Sequence, residues 1–188
     1  MSEHLQFLAV RDVVLLKANR FGDSRGWFCE TWNSERMKAA GIDLAFVQDN
    51  HSYSAAENTL RGLHFQAPPH AQDKLVRCSR GAILDVAVDI RRGAPTYGQW
   101  VSEELSAENG KQLLIPKGFL HGFLTLQADT EVQYKCSDYY ARECEGTVRW
   151  DSVGIDWRMS GSPILSPKDA DAPPFSDFVS PFIYEEMR

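Results

Sequence analysis

AILDVAVDI, residues 82–90, is the most regular stretch of this 188-residue chain. Apolar residues occupy every second position from Leu84 to Ile90, so an extended strand would place them on one face. Asp85 and Asp89 would then lie on the opposite face. Alternation with a period of two residues predicts a β-strand rather than a helix.

Similar alternation recurs along most of the chain, in short runs broken by Gly, Pro, Asn or Asp. It predicts further strands over 12–18, 26–32, 45–52, 74–79, 98–105, 111–116, 119–126 and 131–140. Only NSERMKAAG (33–41) has a helical pattern, with Asn33 as the N-cap and Gly41 at the carboxyl end. Many short strands and few helices predict an all-β fold, a cupin-like jelly-roll β-sandwich with a few short helices.

The length and composition predict a single domain over residues 1–188, because 43% hydrophobic residues suffice for one sizeable core. The stretch SGSPILSPKDADAPPF (160–175) is rich in Pro, Ser and Asp and predicts an ordered loop. We expect this segment, from about residue 160, to pack over the body of the domain. The last stretch, PFIYEEMR (181–188), is interpreted as a short helix.

The charge balance argues against some partners. The formal net charge is -6 at pH 7, whereas nucleic-acid or anionic-membrane binding favours a basic surface. The amino-terminal residues lack the pattern of a signal peptide, and no apolar run approaches the roughly 18 residues of a membrane span. We therefore expect a cytoplasmic protein without nucleic-acid or membrane partners.

Two short motifs bear on metal binding. In IPKGFLHGF (115–123), Pro116, Gly118 and His121 have the P-x-G-x-x-H spacing of the second cupin motif, which aims a histidine into the barrel. Metal-binding cupins also carry H-x-H in their first motif. Here the matching stretch is His64-Phe65-Gln66, and the ammonium group of nearby Lys74 would repel a divalent cation. The motifs predict a cupin barrel without a metal.

Longer motifs, in order along nearly the whole chain, resemble the dTDP-4-dehydrorhamnose 3,5-epimerase family. They are FGDSRGWFCE (21–30), FVQDNHS (46–52), LRGLHFQ (60–66), KLVRCSRGAILDVAVDIRRGAPTYGQW (74–100), LSAENGKQLLIPKGFLHGF (105–123), QYKCSDYY (133–140), GIDW (154–157) and SPKDA (166–170). The resemblance implies a jelly-roll homodimer with exchanged contacts of its amino-terminal strands, and no cofactor. It also implies epimerisation of dTDP-4-dehydro-6-deoxy-glucose at C3 and C5.

The resemblance implies four catalytic roles. His64 corresponds to the general base, and histidine suits this role because its ordinary pKa leaves a useful neutral fraction at physiological pH. Lys74 corresponds to the cation that stabilises the enolate, and Tyr134 to the acid that returns a proton. The family places the carboxylate partner of the base at Asp169, whereas the strand pattern alone favours Asp85, and both remain open.

The family's substrate-binding positions fall on residues that suit a nucleotide diphosphate, because arginine and lysine match the charge of a pyrophosphate. They are Arg25, Arg61 and Lys168 for the diphosphate, His121 and Glu145 for other contacts with the ligand, and Glu30, Gln48, Asp49 and Asn50 near the thymidine.

Three alternatives remain. A relative that epimerises only C3 or only C5 would carry the same histidine and tyrosine. A metal-dependent cupin would need the histidine pair that His64-Phe65-Gln66 lacks. A non-catalytic sugar-nucleotide binder would need no base and acid flanking one sugar ring.

Overall fold

The structure, a computed structural model, describes residues 4–10, 12–159 and 161–184. Two antiparallel sheets face each other as a jelly-roll β-sandwich, so the predicted all-β, cupin-like fold is confirmed. Within the described part of the chain, no helix is long and apolar enough to cross a membrane.

The first sheet has six strands in the order β1-β2-β10-β7-β12-β5. Their bounds are β1 His4–Phe7, β2 Val14–Lys17, β5 Gln48–Ser54, β7 Lys74–Arg80, β10 Lys111–Ile115 and β12 Thr130–Cys136. The second sheet has five strands in the order β13-β6-β11-β8-β9. Their bounds are β6 Leu60–Gln66, β8 Ala82–Asp89, β9 Trp100–Ser106, β11 Phe119–Thr125 and β13 Glu145–Thr147.

A separate hairpin is formed by β3 (Arg20–Asp23) and β4 (Gly26–Cys29), which pair with no other strand of the described residues. Helix α1 runs from Ser34 to Ala39, and the Asn33 side chain accepts a hydrogen bond from the Arg36 N–H, as an N-cap does. The predicted helix and its N-cap are thus confirmed. Helix α2 (Pro167–Ala170) is a single short turn in the carboxyl-terminal segment.

Strand β8 is buried on both faces, since every one of its residues is inaccessible. Ile83 and Ala87 pack between the sheets, where they meet residues of the six-stranded sheet such as Val76. The alternate face, which includes Leu84, packs against the carboxyl-terminal part of the chain, for example Trp157. Asp85 and Asp89 therefore point into the sandwich interior, where a buried carboxylate needs a hydrogen-bond or ion-pair partner.

Four of the described strands were not predicted from the alternation of apolar and polar residues: β1, β3, β6 and β13. In β6 the pairing with β11 shifts register between His121 and Phe123, and Gly62 lies in the middle of the strand, so the alternation is irregular. The prediction of a helix over 181–188 is wrong for residues 181–184. These are extended because Arg92 exchanges backbone hydrogen bonds with Phe182 and Tyr184. Residues 185–188 lie outside the described residues.

Candidate active site

A cavity of about 470 Å³ opens between the two sheets and beneath the carboxyl-terminal segment. Both sheets and this segment contribute side chains to it. The lining residues are Ser52, Thr59, Leu60, Arg61, His64, Lys74, His121, Phe123, Tyr134, Glu145, Ile164, Leu165, Ser166, Lys168 and Asp169. Most of the residues that the motifs single out therefore meet in one place.

His64 and Asp169 form a hydrogen-bonded pair although 105 residues separate them in the chain. His64 Nε2 lies 2.6 Å from Asp169 Oδ1. An ionised carboxylate can only accept, so the imidazole donates its Nε2–H. That tautomer leaves Nδ1 as a lone-pair acceptor. The His64 side chain is 28% exposed, and it therefore remains accessible from the cavity.

The local sequence Ser166-Pro167-Lys168-Asp169 explains how the carboxylate is held. The Ser166 side chain caps α2 by accepting the Asp169 N–H, and proline suits the first helical position. Burial acts to raise the pKa of Asp169. Hydrogen bonds from His64, Ser166 and the Gly62 backbone outweigh it, and the pKa of Asp169 lies below its ordinary value. The carboxylate is therefore ionised beside the histidine.

Lys74 begins β7 and extends its ammonium group into the same cavity. Desolvation lowers the pKa of Lys74, while the negative charges of neighbouring groups, Asp85 and Glu145 among them, oppose that change. Its Nζ lies 6.0 Å from the centre of the Tyr134 ring. An ammonium group in such a site can stabilise an oxyanion that forms nearby.

Tyr134 lies on β12, in the six-stranded sheet, whereas His64 lies on β6, in the five-stranded sheet. The two side chains thus enter the cavity from opposite sheets. Burial raises the pKa of Tyr134, only partly opposed by the charge of Arg61. Its phenol therefore keeps its proton at physiological pH and can donate it.

Asp85 is not the partner of His64; it pairs with His121, whose Nε2 lies 2.7 Å from Asp85 Oδ1. The strand order explains this pairing. Strand β11 lies between β6 and β8, so a side chain of β8 meets one of β11 before it can reach β6. Asp85 is directly opposite Phe123, which makes His121 its diagonal neighbour on the same face.

An ion pair between two lining residues joins α2 to β13 at the cavity. Lys168 Nζ of α2 lies 2.5 Å from Glu145 Oε1 of β13, and the Tyr140 hydroxyl group donates to Glu145 Oε2 at 3.2 Å. Burial acts to raise the pKa of Glu145, but Lys168 holds it below its ordinary value. Arg61 lines the cavity nearby and donates to the Tyr53 carbonyl at 2.9 Å.

The run Gln48-Asp49-Asn50 does not project to one side. Along β5 the burial alternates, with Gln48 and Asn50 half-buried and Asp49 exposed. Gln48 donates to Asn50 at 3.1 Å, whereas Asp49 accepts from Lys135 on the other face of the sheet. Only Gln48 and Asn50 face the sandwich interior.

Arg25 and Glu30 lie outside the cavity of their own chain. Arg25 stands at the tip of the β3–β4 hairpin, 86% exposed, and pairs with Asp23 at 2.5 Å. Glu30 follows the hairpin and forms an ion pair with Arg36 of α1. The fold of one chain does not bring these two residues to the other site residues.

Several lining residues were not anticipated from the sequence, namely Ser52, Thr59, Leu60, Phe123, Ile164, Leu165 and Ser166. The S-P-x-D capping pattern is a signal that identifies Ser166. Ile164 reaches the cavity because it forms a bridge with Thr59, a contact that no local pattern encodes.

The described residues include no group of three or more His, Cys, Asp and Glu side chains arranged to hold a metal ion. They do provide a histidine with a free nitrogen, a buried carboxylate behind it, an ammonium group and a protonated phenol. These groups can remove a proton, stabilise the resulting anion and return a proton from another side. The fold and the site define a jelly-roll enzyme of the acid–base class.

Comparison with known proteins gives the family. The profile of dTDP-4-dehydrorhamnose 3,5-epimerases matches residues 7–177, and the chain belongs to this family of epimerases. The dTDP-4-dehydrorhamnose 3,5-epimerase of Sinorhizobium fredii is 47% identical over 186 residues, which cover 98% of this chain and 95% of the relative.

Two solved structures extend the comparison. The dTDP-6-deoxy-D-glucose-3,5-epimerase of Legionella pneumophila, in complex with dTDP-4-keto-L-rhamnose, is 40% identical with a TM-score of 0.93 and covers 98% of this chain and 100% of that chain. A 3'-monoepimerase from Streptomyces bikiniensis, in complex with dTDP-quinovose, is 33% identical with a TM-score of 0.84. The match covers 90% of this chain and 86% of that chain.

Proposed function

We propose that this protein converts dTDP-4-dehydro-6-deoxy-D-glucose to dTDP-4-dehydro-L-rhamnose by epimerisation at C3 and C5, in dTDP-rhamnose biosynthesis. Membership of the family and the ligand of the Legionella pneumophila structure support this substrate. The single observation that carries the mechanism is the entry of His64 and Tyr134 into one cavity from opposite sheets.

The 4-keto group of the substrate makes the hydrogens on both neighbouring carbons, C3 and C5, acidic. His64 Nδ1 removes one of these protons, and the imidazolium that forms is stabilised by the ionised Asp169. The negative charge that develops on the C4 oxygen is met by Lys74, which shares the cavity. One base serves both carbons if the sugar ring presents each of them to it in turn.

Inversion requires that the proton return to the opposite face of the enolate. Tyr134 is suited to this step because burial raises its pKa and the phenol stays protonated. Its position on the sheet facing His64 supports delivery from the other side of the ring. Deprotonation of one face and reprotonation of the other give net epimerisation without any cofactor.

The nucleotide part of the substrate has partners at the cavity and beyond it. Arg61 and Lys168 at the cavity suit the diphosphate, and Lys168 would exchange Glu145 for a phosphate oxygen. Gln48 and Asn50, which project inward from β5, suit the polar edge of the thymine.

We also propose a symmetric homodimer in which the β3–β4 hairpin of one chain reaches the nucleotide part of its partner's site. The hairpin carries three aromatic side chains that are each at least half exposed, Phe21, Trp27 and Phe28. Arg25 and Glu30, two of the family positions that lie outside the cavity, are on or next to this hairpin. Apolar surface of this kind favours burial against another chain.

The proposal further includes one domain over the whole chain, a cytoplasmic location, and no role for nucleic acid or membranes. The formal net charge of -6 supports the last point. The metal-free character rests on His64-Phe65-Gln66 in place of H-x-H, with Lys74 in the same cavity.

Proton NMR of dTDP-4-dehydro-6-deoxy-D-glucose incubated with the protein in deuterated water tests this function. We expect deuterium at both C3 and C5 together with the inverted product. If neither C3 nor C5 exchanged its hydrogen for deuterium, the proposal would be refuted. Exchange and inversion at one carbon only would instead favour a monoepimerase, the activity of the Streptomyces bikiniensis neighbour.

A further inference from the structure

Gln66 is the last residue of β6, two positions after His64, and it is only 6% exposed. It does not line the cavity, and the acid–base chemistry proposed above gives it no role. A buried amide group is costly unless its donors and its acceptor have partners. The partners of the Gln66 side chain therefore indicate what it does.

The amide group of Gln66 has three backbone partners. Its Nε2 donates to the His70 carbonyl at 2.5 Å and to the Tyr139 carbonyl at 2.9 Å. Its Oε1 accepts the Ala141 N–H at 2.9 Å. One side chain thus holds the carbonyl before Tyr140 and the N–H after it.

Tyr140, the residue between these two contacts, bonds to two of the predicted binding residues. Its N–H donates to Gln48 Oε1 at 3.0 Å, and its hydroxyl group donates to Glu145 Oε2 at 3.2 Å. Gln48 belongs to the six-stranded sheet and Glu145 to the five-stranded sheet. Tyr140 therefore connects the two sheets, and both contacts depend on where its backbone lies.

Other groups fasten the chain on either side of residues 139–141. Before them, the Gln72 side chain donates to the Asp138 carbonyl at 2.8 Å. After them, the Ala67 N–H donates to the Cys144 carbonyl at 2.7 Å. Residues 139–141 lie between these two points, and the amide group described above holds them at both ends.

We propose that Gln66 is a positioning residue for substrate binding: it fixes the backbone on both sides of Tyr140 and thereby places Tyr140 between the two sheets. Tyr140 in turn orients Gln48 and Glu145. This inference rests on the proposed function, in which Gln48 suits the thymine and Glu145 releases Lys168 to the diphosphate. Gln66 acts on the nucleotide part of the substrate without touching it.

The three contacts also explain why position 66 carries an amide group. A primary amide has two donors and an acceptor, whereas a neutral imidazole has one of each and an ionised carboxylate has no donor. A second histidine, as in the H-x-H motif, would leave at least one of the three backbone groups without its partner. Glutamine at this position therefore serves substrate binding, besides removing a metal ligand.

The variant Gln66→Glu tests the inference, because an ionised carboxylate keeps the size and the acceptor but loses both donors. The measured quantities are the Kd for dTDP, from calorimetry, and the KM and kcat for epimerisation of the keto-sugar. We expect Kd and KM each to rise about tenfold, because the contacts of Tyr140 are displaced, while kcat changes by less than about threefold.

Two results would overturn the inference. One is a variant with the Kd and KM of the parent. The other is a fall in kcat at unchanged KM, because a purely structural role would inactivate part of the protein and leave binding by the remainder intact.

Asn109→Asp is the matched control, because the Asn109 amide group also has three backbone partners. It donates to the Glu104 carbonyl at 2.9 Å. It accepts the N–H groups of Ser106 and Lys111 at 3.1 and 2.8 Å. Asn109 lies between β9 and β10 and does not line the cavity.

This control variant should lose some stability in thermal unfolding and keep the Kd and KM of the parent. An equal rise of Kd in both variants would show that the loss of any such amide group weakens binding. That result would overturn the specific role of Gln66.

Two further measurements apply even if Gln66→Glu does not fold. The variant Gln66→Met keeps the volume without burying a charge, and its Kd for dTDP should also rise about tenfold. In the substrate-free parent, nitrogen-15 NMR should show slow solvent exchange of the Gln66 side-chain hydrogens and of the Ala141 N–H. A parental Kd in Gln66→Met, or exchange as fast as in an unfolded peptide, would overturn the inference. A parent that neither binds dTDP nor catalyses exchange would refute the proposed function instead.

Discussion

Two histidines on neighbouring strands have the same hydrogen-bond geometry but differ in access to the cavity. His64 and His121 are cross-strand partners, and each directs Nε2 at a carboxylate. The side chain of His64 is 28% exposed and that of His121 8%. Since a base must approach the carbon whose proton it removes, access rather than the identity of the side chain supports the proposal of His64 for this role.

Replacement of His64 by Ala should abolish deuterium incorporation at both C3 and C5, because no enolate forms without the base. The expected loss is at least about 10²–10⁴-fold, the usual contribution of one acid–base group. The measurement is proton NMR of the keto-sugar in deuterated water. Exchange that persists at one carbon would contradict a single base and would indicate His121 as a second one.

Replacement of Tyr134 by Phe should separate exchange from inversion. The variant keeps His64, which removes a proton and can return a solvent-derived deuteron to the same face. It lacks the phenolic proton on the opposite sheet, so exchange should continue while inversion falls by about 10²-fold or more. Analysis of deuterium content and product configuration in one sample measures both. Inversion at the rate of the parent would show that another group is the acid.

At the scale of elements, the site depends on how closely β6 approaches β11. Gly62 in β6 has φ of +126°, and a Cβ there would lie 2.7 Å from Gly122 Cα and 2.8 Å from the His121 carbonyl oxygen. Only glycine allows this backbone approach. His64 lies two residues after Gly62 on β6, and His121 directly precedes Gly122 on β11. The close approach of the two strands therefore places His64 and His121 side by side in the cavity.

Replacement of Gly62 by Ala should therefore destabilise the protein by about 3 kcal/mol, because backbone strain and a backbone clash act together. For a chain of this size the melting temperature should fall by roughly 6–12 °C in thermal unfolding followed by circular dichroism. Gly154→Ala is a suitable control, since Gly154 also has a positive φ of +77° but nothing within 4 Å of a Cβ. The control should lose only about 1 kcal/mol, and equal losses would argue against the clash.

At the scale of the whole molecule, one chain brings the proposed catalytic groups together but leaves several of the family's binding positions, such as Arg25 and Glu30, outside the cavity. Both sheets and the carboxyl-terminal segment line this cavity. The β3–β4 hairpin belongs to neither of the two large sheets. Its Arg20 side chain connects it to the loop after β9 by donating to the Glu108 carbonyl at 2.7 Å. The same guanidinium group stacks on the Trp27 ring of the hairpin. This anchoring holds the exposed aromatic surface of the hairpin in a defined position.

Light scattering at micromolar concentration should give twice the chain mass of 21.2 kDa. Phe28→Asp on the hairpin should weaken the dimer, because it places a charge in an apolar contact. Tyr97→Asp, at an exposed aromatic residue away from the hairpin, is the control and should leave the mass unchanged. A parent mass near 21.2 kDa would contradict the proposed dimer.

Elemental analysis of the purified protein should find no stoichiometric metal, and treatment with a chelator should leave turnover unchanged. The physical reason is the Lys74 ammonium group in the cavity, which repels a divalent cation, together with Gln66 in place of a second histidine. Bound metal whose removal abolishes turnover would refute the metal-free mechanism.

The sequence by itself determined the type of fold and identified the candidate reactive groups. Alternation along β8 and its neighbours is a local property, since side chains of a strand alternate between faces wherever the strand lies. The motifs around His64, Lys74 and Tyr134 likewise identify residue types directly, because the type of each side chain is a property of the sequence itself. Helix α1 followed from its own N-cap, Asn33.

Only the tertiary structure decided which groups meet. The strand order sets β11 between β6 and β8, so Asp85 reaches His121, while Asp169 reaches His64 from 105 residues away. The opposition of His64 and Tyr134 and the separation of Arg25 from the cavity have the same origin. Register, sheet order and packing arise from contacts between remote segments, and local periodicity carries no information about them.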